Sequence, residues 1–204
     1  MPSRREFIQA GLAISVTPVA LPIRESVGAV PSIAPQASQP LYCIMCDTRS
    51  SWSSAFAREA ERLGVRVERT SGDITDFWFN DLSRRWKDGP VAIGGLTAHG
   101  PLFCLERLGW DHGLRVVLRG THRVLDTGHV EHAISGPSPA ITAARADLAG
   151  ADWPSHVARL VTRCPVAGRT TAATVRSSQP DSRRADVHDT LLSWVIAPKA
   201  AHVP

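Results

Sequence analysis

Apolar positions along this chain come in two kinds of stretch: short continuous runs, and longer segments in which they recur every three or four residues. Residues 41–46 form a run of the first kind, and Asp47-Thr48-Arg49-Ser50-Ser51 supplies turn chemistry and a helix N-cap, which predicts a buried strand entering a helix. Trp52, Ala55, Phe56, Ala60 and Leu63 then share one helical face, with Gly64 placed for a left-handed C-cap. Residues 65–69 alternate as a strand, and Ser71-Gly72-Asp73 turns the chain into a second helix carrying Phe77, Trp78, Leu82 and Trp86. Gly89-Pro90 ends that helix, and residues 91–93 read as a third strand. Gly94-Gly95-Leu96-Thr97-Ala98-His99-Gly100 reads as a tight loop before a helix holding Leu102, Leu105 and Leu108, and residues 114–118 as a fourth strand.

Strands alternating with helices in this way predict right-handed βαβ units, hence an α/β fold of three layers, with a mostly parallel sheet and helices on both faces. The pattern changes after the fourth strand. Too few residues separate it from the apolar run at 130–134 for a helical crossover, so an antiparallel or edge addition is expected in the C-terminal half. Ser138 and Pro139 open a helix with Ile141, Ala144 and Leu148 on one face, and Trp153, Val157, Leu160 and Val161 mark another. The polar stretch 166–186 reads as a mobile excursion, and the apolar run 191–196 as the last strand.

The chain begins differently. Ser3-Arg4-Arg5-Glu6-Phe7 precedes a weakly apolar stretch over residues 10–23 and the small residues Val27-Gly28-Ala29. This resembles a twin-arginine (Tat) signal peptide, with Ile8 and Gln9 where that family commonly has Leu and Lys. The apolar stretch is interrupted by Gly11, Ser15, Thr17, Pro18 and Pro22, and falls short of the roughly 20 apolar residues of a spanning helix. Residues 1–29 are therefore expected to be a signal cut after Ala29 or Ala20, residues 30–40 a flexible tether, and residues 41–198 a single α/β domain. The resemblance implies the Tat translocase as a partner, a periplasmic or secreted location, and no stable membrane anchor. Proteins exported in this way travel folded, often with a cofactor or a partner; no cofactor is specified by the residues.

Composition narrows the partners further. The 204 residues are 43% hydrophobic and 21% charged, an ordinary globular balance. Lys and Arg number 23 against 19 Asp and Glu, a net +4 without basic blocks, so nucleic acid is not expected as a partner.

Open parallel sheets bind ligands beyond the carboxyl ends of their strands, and the predicted loops there carry the candidate chemistry. Gly94 and Gly95 would let backbone approach a ligand, or would serve packing alone; Thr97 and His99 add a hydroxyl and a titratable ring. Asp47 and Arg49 from the first loop, Asp73 from the second, and Thr121 with His122 from the fourth would join them. His99, Asp73 and His122 are the candidate catalytic residues, and Asp47, Arg49, Gly94, Gly95 and Thr97 the candidate ligand-binding ones. There is no Walker lysine, no G-x-G-x-x-G and no G-x-S-x-G. No metal site is expected, because His129 and His132 would point to opposite faces of a strand.

Cys43 and Cys46 spell C-x-x-C, but on an extended strand their Cα atoms would lie about 10 Å apart, beyond the roughly 7 Å limit for a disulfide. Buried structural thiols, or a bond from one of the two to Cys104 or Cys164, are expected. Asp126-Thr127-Gly128 spells the aspartic-protease triplet yet sits between two strands, where it reads as a turn. Two functions follow: binding or acting on a small ligand at the carboxyl edge, or serving as a non-catalytic accessory protein of an exported redox enzyme. An open polar cleft over Gly94 favours the first, and an apolar patch near Trp110 the second. Whether the protein is an enzyme is left open.

Overall fold

The structure is a computed structural model that describes residues 40–166, 168–178 and 190–198. The signal segment 1–29, the tether before Pro40 and residues 179–189 of the polar stretch lie outside the described residues. The elements are β1 (Cys43–Asp47), α1 (Ser51–Arg62), β2 (Val67–Thr70), α2 (Thr75–Phe77), a π-helical turn (Trp78–Leu82), α3 (Ser83–Asp88), β3 (Ile93–Thr97), α4 (His99–Trp110), β4 (Leu114–Val124), β5 (Val130–Pro137), α5 (Ser138–Leu148), α6 (Trp153–Thr162), β6 (Thr170–Arg176) and β7 (Thr190–Pro198).

The seven strands form one mixed sheet in the order β2-β1-β3-β7-β4-β5-β6, so the α/β class is as expected. Its mostly parallel character is not. Only β1 pairs in parallel, with β2 and β3, and the other four pairings are antiparallel. The C-terminal strand is the cause: β7 inserts between β3 and β4 and runs against both. Its continuous apolar run is what a strand covered on both faces requires, and every residue from Leu191 to Ala197 is buried.

Two further differences follow from hairpin pairing. β4 continues to Val124 instead of stopping at Leu118, because β5 returns alongside it. The connecting turn is the Asp126-Thr127-Gly128 triplet: Gly128 has φ +78° and donates its N–H to the Leu125 carbonyl at 2.8 Å. The antiparallel addition expected in this half is thus present. Within the stretch read as a mobile excursion, Thr170–Arg176 forms β6 against β5. Its alternation is hidden in the sequence because the inward residues Thr171, Ala173 and Val175 are mostly small.

Successive strand residues join two separate apolar clusters. Ile44 and Cys46 pack with Trp52 and Phe56 of α1 and Trp153, Val157 and Val161 of α6. Cys43 and Met45 pack with Trp86 of α3 and Leu102 and Leu105 of α4. Glu59 ties α1 to α6, accepting from Arg62 Nε at 2.7 Å and Arg159 Nε at 2.8 Å. The hydrogen bond from Arg62, reinforced by Arg159, holds its carboxyl down at about 2. Among the described residues no helix is long and apolar enough to cross a membrane.

Candidate functional site

Gly94, Gly95 and Thr97 do not lie in a loop; they are the interior and end of β3, and all are buried. The absence of side chains there makes room for neighbours. A Cβ on Gly95 would lie 2.5 Å from Trp194 Cζ2 and 2.8 Å from the Met45 carbonyl oxygen, and one on Gly94 would lie 2.5 Å from Val161 Cγ1. The large Trp194 ring on β7 is thus accommodated by a bare stretch of β3. Thr97 completes the arrangement by accepting the Trp194 indole N–H at 3.1 Å, which satisfies a donor buried in the core.

The carboxyl edge of β1, β2 and β3 does gather polar residues, and they largely satisfy one another. Asp47 is buried, with Arg49 Nε donating to Oδ1 at 2.9 Å and Arg49 Nη2 to Oδ2 at 2.8 Å. The guanidinium lies over Gly72, whose φ of +105° and missing Cβ leave space for it. Asp73 is exposed and accepts the Thr75 N–H at 2.8 Å in a local turn, and hydrogen bonding from the Thr75 side chain, then from that N–H, keeps its carboxyl below the usual range. His99 is the first residue of α4 and exposed, its ring stacked on Phe103 at 5.8 Å.

His122 leaves this group altogether. It lies within β4, fully buried, opposite His132 of β5. Their Nδ1 atoms are 2.7 Å apart, His122 Nε2 is 2.8 Å from Ser193 Oγ of β7, and the His122 ring stacks on Trp153 at 4.8 Å. Gly120 makes this possible, since a Cβ there would sit 2.4 Å from Ser193 Oγ. Burial, followed by the neighbouring His132, pushes the His122 pKa well below its usual value, so the ring is neutral. A hydroxyl and two imidazoles in series have the order of a proton relay. With Ser193, His122 and His132 all at 0% exposure, no substrate reaches the hydroxyl. The signal for this pair was available: a hairpin centred on Thr127 sets His122 opposite His132.

The thiols are also interior. Cys43 and Cys46 belong to different clusters on opposite sides of the sheet, so their side chains diverge. Burial raises their pKa values to about 12 and about 11. Among the described residues no group of three or more His, Cys, Asp or Glu side chains is arranged to hold a metal ion.

Of the large apolar side chains exposed among the described residues, Phe79 stands on the π-helical turn, and Phe103 and Trp110 share one face of α4. Its inner face buries Leu102 and Leu105, while His99, Phe103, Arg107 and Trp110 form a ladder along the outside at helical spacing. Phe103 is 49% and Trp110 42% exposed. The Arg107 guanidinium lies 4.3 Å from the Trp110 ring and 5.5 Å from Phe103, and Arg115 of β4 approaches Trp110 at 5.9 Å. Among the described residues neither arginine forms an ion pair. Comparison with family models, curated proteins and solved structures finds no match for this chain.

Proposed function

We propose that this chain is an exported accessory protein that docks, through the outer face of α4, onto an acidic surface of a protein exported with it, a redox enzyme being the expected kind. One observation carries the reading: Trp110 and Phe103 are exposed and flanked by Arg107 and Arg115, neither of which forms an ion pair among the described residues. Exposed Trp and Arg are the residue types that dominate binding energy in protein interfaces, and unpaired guanidinium groups select a partner of opposite charge. Export is supported by Ser3-Arg4-Arg5-Glu6-Phe7. For the scaffold we infer a three-layer build, supported by the two separate apolar clusters.

The test is retention of one stoichiometric partner by tagged mature protein in the periplasm of its native host. The partner should be released as salt rises toward a Debye length well under about 10 Å, and lost with Arg107→Glu plus Arg115→Glu. Arg145→Glu, on the exposed side of α5, should retain it. Retention by the double variant contradicts the reading.

A second reading, a small anionic ligand at the carboxyl edge, is favoured by the part-exposed Arg49 guanidinium, oriented by the buried Asp47. Calorimetry with inorganic phosphate separates the two, since binding abolished by Arg49→Ala supports this reading alone.

A further inference from the structure

We propose a second, independent site at the other end of the sheet, for a small zwitterion with an apolar body: an α-amino acid with an aliphatic side chain. A groove of about 340 Å³ opens there, within the range that takes small organic molecules. Its origin is a break in pairing. β4 carries a bulge between Val116 and Leu118, and β5 ends at Pro137, which has no N–H to extend the ladder. Val116 pairs with Ile196, which also pairs with Ile93 at the start of β3, so the groove lies away from the carboxyl edge.

Val116, Val117 and Pro137 give the groove apolar walls, and Glu106 of α4, Arg119 of β4 and Ser135 of β5 give it polar ones. Arg119 Nη2 meets Glu106 Oε2 at 2.7 Å by a single contact. The second Glu106 oxygen and the Arg119 Nε and Nη1 groups make no other hydrogen bond among the described residues. Both side chains are part-exposed, at 24% and 39%.

This pair selects by charge pattern. A lone carboxylate drawn to Arg119 also meets the negative charge of Glu106, and a lone ammonium meets the opposite conflict, so each gains little. A molecule with ammonium and carboxylate on adjacent atoms lays its own dipole against that of the pair. Its ammonium faces Glu106 and its carboxylate faces Arg119, while the Ser135 hydroxyl, which donates its one proton to the Arg119 carbonyl at 3.5 Å, is left as an acceptor for the ammonium. The valine and proline walls then cover an aliphatic side chain rather than a polar one. Nothing in this argument depends on α4 docking a partner, because Phe103, Arg107 and Trp110 take no part in it.

Calorimetric titration of the mature protein with L-leucine, 4-methylpentanoate and isoamylamine tests the proposal. Leucine should bind at one site, with both single-charge analogues at least about tenfold weaker. Arg119→Met and Glu106→Gln should each weaken leucine by about tenfold or more. Their melting temperatures should barely move, since a part-exposed ion pair contributes little to stability. Three outcomes overturn the proposal: no leucine binding up to about 10 mM, equal binding of either analogue, or binding unaffected by the two substitutions. None of these outcomes touches the docking reading, which is tested at Arg107 and Arg115.

Discussion

The Nδ1 atoms of His122 and His132 face each other at 2.7 Å in an interior sealed from water. Between the neutral His122 ring and His132 the direction of this hydrogen bond follows the tautomer. If His132 donates, His122 carries its proton on Nε2 and donates to Ser193; if His122 donates, Ser193 donates to Nε2. A proton added to His122 puts a charge in the apolar core beside the His132 ring. The His122 ring is faced by His132 of β5, Trp153 of α6 and Ser193 of β7. Stability that depends on neutral His122 is therefore full above the unfolded histidine pKa of about 6.5. It falls below that by up to about 1.4 kcal/mol per pH unit. The urea midpoint should drop between pH 7.5 and 5.5, and a flat profile over that window contradicts a neutral His122. The depressed Glu59 carboxyl acts elsewhere: its contribution is present above the ordinary glutamate range and is lost as pH falls toward about 2.

Gly94 and Val161 form a matched pair, as a Cβ on Gly94 would meet Val161 Cγ1 at 2.5 Å. Gly94→Ala should cost about 1–3 kcal/mol by overpacking. Combined with Val161→Ala it should cost less than the two single losses together, because the deleted methyl groups vacate the space. Denaturant melts of the three variants measure this. Strict additivity, or a harmless Gly94→Ala, would return the glycine to a role outside the core.

The cysteines should label in a fixed order. Cys104 is exposed, whereas burial raises Cys43, Cys46 and Cys164 to about 12, about 11 and about 12. Brief alkylation of native protein followed by mass spectrometry should modify Cys104 alone, and the other three only after unfolding. A bridge between Cys43 and Cys46 would contradict their placement on opposite sheet faces.

The proposed export rests on the paired arginines Arg4 and Arg5. Replacing Arg4 and Arg5 by Lys should leave uncleaved precursor in the cytoplasm, read by fractionation and N-terminal sequencing. Undiminished export of that variant contradicts a twin-arginine signal.

Local elements could be read from the sequence wherever periodicity and capping agree, as in α1 between Ser50 and Gly64, and in α5 opened by Ser138 and Pro139. The sheet order could not be, since nothing local tells the run at 191–196 that it lies between β3 and β4. That one insertion decided the candidate site as well. The Trp194 ring takes the space at Gly95 and Val161 of α6 that at Gly94, so both glycines are packing residues, and the continuation of β4 carries His122 inward. Trp110 was legible as a patch residue, but its alignment with Phe103 and Arg107 was not, because the apolar period of α4 marks the buried face built on Leu102 and Leu105.

The most direct measurement places a photo-crosslinking amino acid at position 103, in the mature protein inside its native host. Docking through the outer face of α4 predicts a crosslink to one exported protein, at a segment rich in Asp and Glu, that disappears when Arg107 and Arg115 are both changed to Glu. A crosslink to a second copy of this chain or to lipid, no crosslink at all, or one indifferent to those two charges would contradict it.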